Sequence, residues 1–344
     1  MPRSHSGKSA RAVLLASFFG AGALAAAAAG PEPPKSGKAE PLRVVAEVAM
    51  PGPAVRFDYQ SLDPASCRLY IAHMNADQLV VFDTKSRKVV ANLDGFARVH
   101  GVWAVPELGR IYASATGNKQ VNVLDQKTLK TLARIGPITY PDGLAYAPEP
   151  QRVFVSDEHG KKDAVIDTRT NTLVTSITLG GEAGNTVYDS GSKQILVAVH
   201  EPAELVAIDP SSAKIAARYA LPGLKEPHGV SLDAPKRLAF VAGAGNHTLA
   251  VFDLDTKKIL ETHPVGEDPD VLAFDPGLGL LYVSAESGTV SVFREQDRKL
   301  VPLGEVVMPH AHTVCVDPQT HLVYFPLENI GGKPVLRIME PTQH

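Results

Sequence analysis

The segment from residue 58 to residue 93 reads DYQSLDPASCRLYIAHMNADQLVVFDTKSRKVVANL, and it decides the fold. It contains four short runs, at 58–62, 68–72, 78–82 and 89–93, in which apolar residues dominate or alternate with polar ones. Short runs of this kind predict β-strands. The turns between them begin at Asp63 and Asp83 and carry Pro and Ser, as type I turns prefer. The segment therefore predicts one sheet of four short strands.

The same pattern returns at a nearly constant interval along the chain. With Asp63 as the reference, equivalent positions follow at 105, 147, 189, 233, 275 and 317, in steps of 42 residues with a single step of 44. A large apolar residue stands seven positions after each: Tyr70, Tyr112, Phe154, Leu196, Phe240, Tyr282 and Tyr324. One small sheet cannot bury both of its faces, whereas sheets stacked radially bury each other. The sequence predicts an all-β, seven-bladed β-propeller with four antiparallel strands per blade.

The two ends of the repeat array predict how the ring closes. The last repeat, residues 313–340, supplies only three strands before the pattern stops. The segment 42–48 (LRVVAEV) precedes the first repeat and matches the outermost strand of the others. We expect this N-terminal strand to pair with the last blade, because that pairing removes an open sheet edge. The propeller domain then spans residues 42–344.

The first 29 residues have the pattern of a signal peptide. Arg3, Lys8 and Arg11 precede an uncharged, alanine-rich run that ends in Ala27-Ala28-Ala29. A basic start, a short apolar stretch and small residues at its end are typical of cleaved export signals. Residues 30–41 are rich in Pro and polar residues and predict a linker. We expect a periplasmic or secreted protein without permanent membrane insertion.

Charge and cysteine content exclude some classes of protein. The formal net charge is −3, and it becomes −6 once the three bases of residues 1–29 are removed. Nucleic-acid binding proteins usually carry an excess of basic residues, so binding to nucleic acid is not expected here. The chain has two cysteines, Cys67 and Cys315, and no CxxC motif. Whether these two form a disulfide is left open by the sequence.

Three segments resemble the YVTN-repeat (YncE-like) propellers: LVVFDTKSRKVV at 79–90, DTRTNTLVTSI at 167–177 and LYVS at 281–284. The resemblance covers residues 42–340 and implies the seven-bladed fold. Propellers of this kind include bacterial surface and periplasmic proteins, lactonase-like hydrolases and the non-catalytic scaffold of quinoprotein amine dehydrogenases. Because one fold hosts many functions, this resemblance does not indicate which residues form a functional site.

The polar residues are unevenly distributed between the two faces of the predicted ring. The loops that enter each innermost strand, and those joining second to third strands, open on one face. They hold eight of the eleven histidines after residue 29: His73, His100, His159, His200, His228, His247, His310 and His312. They also hold twelve acidic residues against four basic ones, whereas the turns between third and fourth strands are basic. The histidine-rich face should attract cations.

One position in each repeat predicts a ring of side chains around the axis. Five residues before each reference position stand Asp58, His100, Asp142, Gly184, His228, Asp270 and His312. The three histidines belong to blades 2, 5 and 7 and point to the axis from three nearly balanced directions. Three converging imidazoles suit a divalent transition metal such as Zn, Cu, Fe or Ni. The alternative is a structural ring that bonds to adjacent blades or to water in the channel.

These residues support a binding module as the first hypothesis. Its partner would be a small molecule, a cation or a periplasmic protein, and we expect a monomer. The candidate ligand-binding residues, besides the three histidines, are Asp58, His73, Asp157, Asn185 and His200. The loops are short, and neither GxSxG nor HExxH occurs. The alternative is a metal-dependent, lactonase-like hydrolase with Asp142 or Asp270 as general base. A weaker third hypothesis is a subunit of a periplasmic redox complex.

Overall fold

The computed structural model of the protein describes residues 40–342. The predicted signal peptide, residues 1–29, and residues 30–39 of the predicted linker lie outside this range. Within it, 28 strands form seven antiparallel sheets of four strands each. The all-β, seven-bladed propeller predicted from the repeat is therefore confirmed.

In chain order, the strands are β1 (Leu42–Ala49), β2 (Gln60–Asp63), β3 (Arg68–His73), β4 (Gln78–Asp83), β5 (Lys88–Asp94), β6 (Val99–Val105), β7 (Arg110–Ala115), β8 (Gln120–Asp125), β9 (Thr131–Ile135), β10 (Pro141–Ala147), β11 (Arg152–Asp157), β12 (Lys162–Asp167), β13 (Thr172–Thr178), β14 (Ala183–Asp189), β15 (Gln194–Val199), β16 (Glu204–Asp209), β17 (Lys214–Ala220), β18 (Pro227–Asp233), β19 (Leu238–Gly243), β20 (Thr248–Asp253), β21 (Lys258–Pro264), β22 (Pro269–Asp275), β23 (Leu280–Ala285), β24 (Thr289–Gln296), β25 (Lys299–Val307), β26 (Cys315–Val316), β27 (Val323–Ile330) and β28 (Lys333–Pro341). Single-turn 3-10 helices occur at Met74–Ala76, Pro106–Leu108, Thr116–Asn118 and Ala244–Asn246. No helix in residues 40–342 is long and apolar enough to span a membrane.

The blades follow one another around a closed ring. Blades 1 to 6 are β2–β5, β6–β9, β10–β13, β14–β17, β18–β21 and β22–β25, and blade 7 has the order β26, β27, β28, β1. The first strand of each blade contacts the first strand of the next, and β26 of blade 7 contacts β2 of blade 1. These seven innermost strands therefore surround the axis.

The N-terminal strand closes the ring as predicted. Strand β1 pairs antiparallel with β28, with Leu42 opposite Pro341 and Ala49 opposite Val335. Because β1 completes the sheet of blade 7, the first and last strands of the domain are held in one blade and the ring is closed. Closure therefore holds the seventh blade, and with it the ring, in a fixed geometry.

The core lies between adjacent blades. The residues seven positions after each reference position are all nearly inaccessible to solvent: Tyr70, Tyr112, Phe154, Leu196, Phe240, Tyr282 and Tyr324. Each aromatic side chain in such a position buries a large apolar area, which is the main favourable contribution to folding. The sequence period thus fixes the inter-blade core directly.

Glycine lets the innermost strands approach each other near the axis. A Cβ atom at Gly101 would lie 2.1 Å from the carbonyl oxygen of Asp142, and one at Gly229 would lie 2.2 Å from that of Asp270. No side chain fits at these distances, so glycine is required where the backbones of neighbouring blades are this close. The residue before each of these glycines, His100 or His228, belongs to the predicted axial ring.

Candidate functional site

The predicted axial ring lines a single cavity. Six of its seven positions, all except Gly184, border a space of about 280 Å³ at one end of the axis. The six residues are Asp58, His100, Asp142, His228, Asp270 and His312. They come together because each stands just before or at the start of an innermost strand, at the same level in its repeat. We call this space the acidic cavity.

Neighbouring loops add further charged side chains to the acidic cavity. Its wall includes seven carboxylates and four histidines, against one basic residue, Arg56. The added polar residues are Arg56, Tyr59, Tyr140, Glu158, His200, Glu226, Asp268 and Glu286. A cleft lined by this excess of carboxylates attracts cations.

The three ring histidines do not form one ligand set. Asp270 lies between two of them: its Oδ1 is 3.1 Å from His228 Nε2, and its Oδ2 is 2.9 Å from His312 Nε2. His100 lies in a separate group with Asp58 and Asp142. The sequence predicted three imidazoles around one ion, and the structure instead separates His100 from His228 and His312. The reason is electrostatic, since a carboxylate on blade 6 pairs with the histidines of blades 5 and 7 on either side of it.

The carboxylate of Asp270 keeps both neighbouring imidazoles protonated. Burial alone would lower the pKa of His228, but the charges of Asp270, Asp142 and Glu158 raise it to about 9. Burial likewise opposes the charge on His312, yet Asp270, Asp58 and Glu286 raise its pKa well above the usual value. Despite its burial, Asp270 has a pKa well below its usual value, because it faces these two cations. Protonated imidazoles have no lone pair for a metal, so this part of the cavity is an ion-pair network.

His200 extends this network to a fourth blade. Its Nε2 is 3.1 Å from His228 Nδ1. Burial, followed by the charge of His228, lowers the pKa of His200 to about 4. At neutral pH the charged His228 therefore donates its Nδ1–H to a neutral His200.

His100 has the protonation state that a metal ligand needs. Its Nδ1 is 2.8 Å from the carbonyl oxygen of Arg98, to which it donates, so Nε2 carries the lone pair. Tyr140 donates its hydroxyl to Nε2 over 3.1 Å. Burial lowers the pKa of His100, which keeps the ring neutral at neutral pH.

Two buried carboxyl groups stand beside His100. One ligand atom each from Asp58, His100 and Asp142 lies within 4.8 Å of the others, and all three residues are buried. Burial, and then the charges of Asp58 and Glu158, raise the pKa of Asp142 well above its usual value. Crowded carboxylates repel each other, and a cation between them relieves that repulsion. One imidazole and two carboxylates can hold a divalent cation such as Mn²⁺, Fe²⁺ or Zn²⁺.

Two other groups in residues 40–342 have comparable spacing. Asp270, Glu286 and His312 form one, and Glu158, His159 and Glu182 form the other. In the first, His312 is protonated and Arg56 bonds to Glu286 over 2.7 Å, so the negative charge is already compensated. The second lies at the exposed or half-exposed rim. In the Asp58–His100–Asp142 group all three residues are buried and the imidazole is neutral, and Asp58 also lies 3.3 Å from the protonated His312.

Three candidate ligand residues from the sequence lie away from the acidic cavity wall. His73 is fully buried, with its ring stacked on Phe57 at 3.9 Å between centroids. Asp157 accepts the backbone N–H of Tyr140 at 2.7 Å and so shapes a loop. Asn185 accepts the hydroxyl of Tyr59 and borders a second cavity on the same axis. Position in the repeat predicted their level along the axis but not the direction of each side chain.

Two tyrosines of the site have no counterpart among the sequence-based candidates. Tyr59 directly follows the ring position Asp58, where other repeats have Gly101, Gly143 and Gly229, and it borders both axial cavities. Tyr140 stands two residues before Asp142 and bonds to His100. A tyrosine at a position where other repeats have glycine was the sequence feature that could have identified Tyr59 as part of the site.

Comparisons with known proteins support the fold and do not assign a function. No protein-family model matches the chain, and no curated protein matches it. Among solved structures, the chain is similar to hydrazine synthase from Kuenenia stuttgartiensis, with 14% identity and a TM-score of 0.72 over 87% of this chain and 98% of that one. In all, 1704 chains of solved structures match, so the shared architecture alone does not indicate what this protein binds. The chain is a seven-bladed β-propeller.

Proposed function

We propose that the protein is a binding module that holds a divalent transition-metal cation in the acidic cavity. The observation that carries this proposal is the buried group Asp58–His100–Asp142, in which a neutral imidazole stands beside two carboxyl groups. Burial and the charges of Asp58 and Glu158 raise the pKa of Asp142, and the charge of His228 offsets only part of this rise. Asp58 and Asp142 would supply oxygen ligands, and His100 would supply Nε2 after releasing the Tyr140 hydroxyl.

The remaining charges of the cavity support the same role. Asp270 is engaged by two imidazolium groups, so it orients side chains instead of binding an ion. Glu158 borders the cavity, and burial raises its pKa. It can add charge near the cation without displacing the network. A cavity of about 280 Å³ accommodates a partly hydrated ion or a small ligand bound to it.

Binding is a better account than hydrolysis. A lactonase-like reaction needs a general base whose pKa lies near the working pH. Asp270 has a strongly lowered pKa and two cationic neighbours, which makes it a weak base. Asp142 has a raised pKa, but the proposal uses it as a ligand. Export to the periplasm or the outside of the cell remains part of the proposal and rests on the pattern of residues 1–29.

Calorimetric titration with Mn²⁺ and with Zn²⁺ tests the proposal. We expect one cation per chain, and an affinity that rises with pH because Asp142 must lose its proton before it can bind. His100→Ala should weaken binding by at least about tenfold. The matched control is His321→Ala, in the turn between β26 and β27 and bonded to Asp275 at the end of β22, which should leave the affinity unchanged. Absence of saturable binding, or equal affinities for wild type and His100→Ala, would contradict the proposal.

A further inference from the structure

A second cavity lies on the same axis and has the opposite chemistry. It has a volume of about 240 Å³, and no charged side chain of residues 40–342 lines it. Its wall comes from the innermost strands and includes Trp103, Val187, Leu272, Phe274 and Val316. Transfer of a charged group into such surroundings is unfavourable. We call this space the apolar cavity, and any ligand that it takes must be uncharged.

Tyr59 separates the apolar cavity from the acidic cavity. Its side chain borders both spaces, and its hydroxyl donates to Asn185 Oδ1 and lies 3.4 Å from Asp142 Oδ2. Tyr59 and Asn185 thus form a polar partition across the axis. The apolar cavity is therefore a site of its own, and the proposed cation site does not include it.

Trp103 is the side chain that makes the apolar cavity distinctive. Its place in an innermost strand predicts a residue of the inter-blade core, but it is 36% exposed and lines the cavity. The equivalent positions of the other repeats carry small or β-branched side chains: Ser61, Ala145, Val187, Ser231, Ala273 and Cys315. A single large aromatic face beside small neighbours leaves room for a flat ligand to stack on it.

Two polar groups border the apolar cavity and have unused hydrogen-bonding capacity. Gln60 donates its Nε2 to Thr313 Oγ1 at 3.4 Å and to the carbonyl oxygen of Tyr324 at 3.3 Å, while its buried Oε1 has no partner in residues 40–342. Asn185 is 6% exposed and uses Oδ1 to accept from Tyr59. No residue in 40–342 accepts a hydrogen bond from its Nδ2. One acceptor and one donor therefore remain for a ligand.

We propose that the apolar cavity binds a small, uncharged aromatic molecule that carries a hydroxyl group, stacked on Trp103. Its hydroxyl donates to Gln60 Oε1 and accepts from Asn185 Nδ2. A volume of about 240 Å³ lies just below the usual range for ligand pockets, so one ring or two small fused rings are the appropriate size. This site is independent of the proposed cation site, because Tyr59 is the one residue in the described range 40–342 that borders both cavities.

Trp103 is the single tryptophan of the chain, so its fluorescence reports directly on this cavity. Titration with phenol should give a saturable change with a dissociation constant of about 1 mM or tighter. Benzoate and benzylammonium, which have similar shapes but carry charge, should give none in the same range. No saturable change with phenol up to about 10 mM, or equal responses to benzoate, would overturn the proposal.

Variants separate specific binding from general quenching of the tryptophan. Ala273→Leu fills the cavity from a half-exposed position and should weaken phenol binding at least about tenfold. Val187→Phe serves the same purpose from another blade if Ala273→Leu does not fold. Gln60→Leu should weaken phenol binding but leave toluene binding unchanged. His321→Ala, at a residue that borders neither axial cavity, should leave phenol binding unchanged. Unaltered affinity in the folded filling variant would overturn the assignment.

Discussion

At the residue scale, the acidic cavity shows that one side-chain type takes different protonation states within a few ångströms. His228 and His312 are cationic because each contacts Asp270. Burial lowers the pKa of His100 and keeps its ring neutral, while burial together with the charge of His228 does the same for His200. The neutral His100 is the one that stands beside two carboxyl groups. Environment therefore selects the imidazole that can bind a cation.

The pH dependence of folding should report the Asp270 network. The pKa of His228 is about 9 in the folded protein and about 6.5 in an unfolded chain. A raised folded-state pKa contributes stability that is complete below about pH 6.5 and is lost as the pH rises through about 9. Urea unfolding at a series of pH values should show this loss, worth about 3 kcal/mol at most for His228. In Asp270→Asn, burial should dominate the pKa of His228, so the loss of unfolding free energy between pH 6.5 and 9 should disappear. An unchanged dependence of the unfolding free energy on pH would contradict the role given to Asp270.

At the element scale, the innermost strands determine which residues reach the axis. The ring position, just before or near the start of each strand, carries a polar residue in every blade except blade 4, which has Gly184, and in blades 2, 3 and 5 a glycine follows it. At Gly101 and Gly229, backbone atoms of the next blade occupy the place of a side chain. The spacing between blades, and hence the separation of the ring residues, depends on these contacts.

A matched pair of glycine substitutions tests this account of the strands. In Gly229→Ala the new methyl group would lie 2.2 Å from the backbone oxygen of Asp270, which cannot move without shifting blade 6. We expect a loss of about 1–3 kcal/mol in the free energy of unfolding, measured with urea. In Gly143→Ala the nearest atom is the Ser156 hydroxyl oxygen at 3.5 Å, an ordinary contact. Its stability should change by less than about 0.5 kcal/mol; equal effects at both glycines would refute the explanation.

At the scale of the whole molecule, the ring converts distant sequence positions into two axial cavities. Residues of blades 1, 2 and 3 form the Asp58–His100–Asp142 group, although 42 residues separate each from the next. A few residues further along the innermost strands, Trp103 and small apolar residues line the apolar cavity. One partition, Tyr59 with Asn185, lies between the two environments. A rigid ring can therefore hold two chemically different sites close together.

The repeat predicted the architecture because many independent positions along the chain recur with the same period. It also predicted the closing strand β1 and the level of the axial ring. It could not predict that Asp270 would engage His228 and His312, because a period gives the blade and the height of a residue but not its rotamer or its charge partner. The same gap explains His73, which turns into the core against Phe57, and Trp103, which turns into a cavity.

Anomalous diffraction from crystals grown with Mn²⁺ or Zn²⁺ is the most direct test of the central claim. The account predicts one strong peak in the acidic cavity, about 2.0–2.3 Å from His100 Nε2 and from a carboxylate oxygen of both Asp58 and Asp142. It also predicts that His228 and His312 stay on Asp270, with no metal bound to either ring. A peak bound to His228 or His312, or no peak in the cavity at saturating cation, would contradict the account.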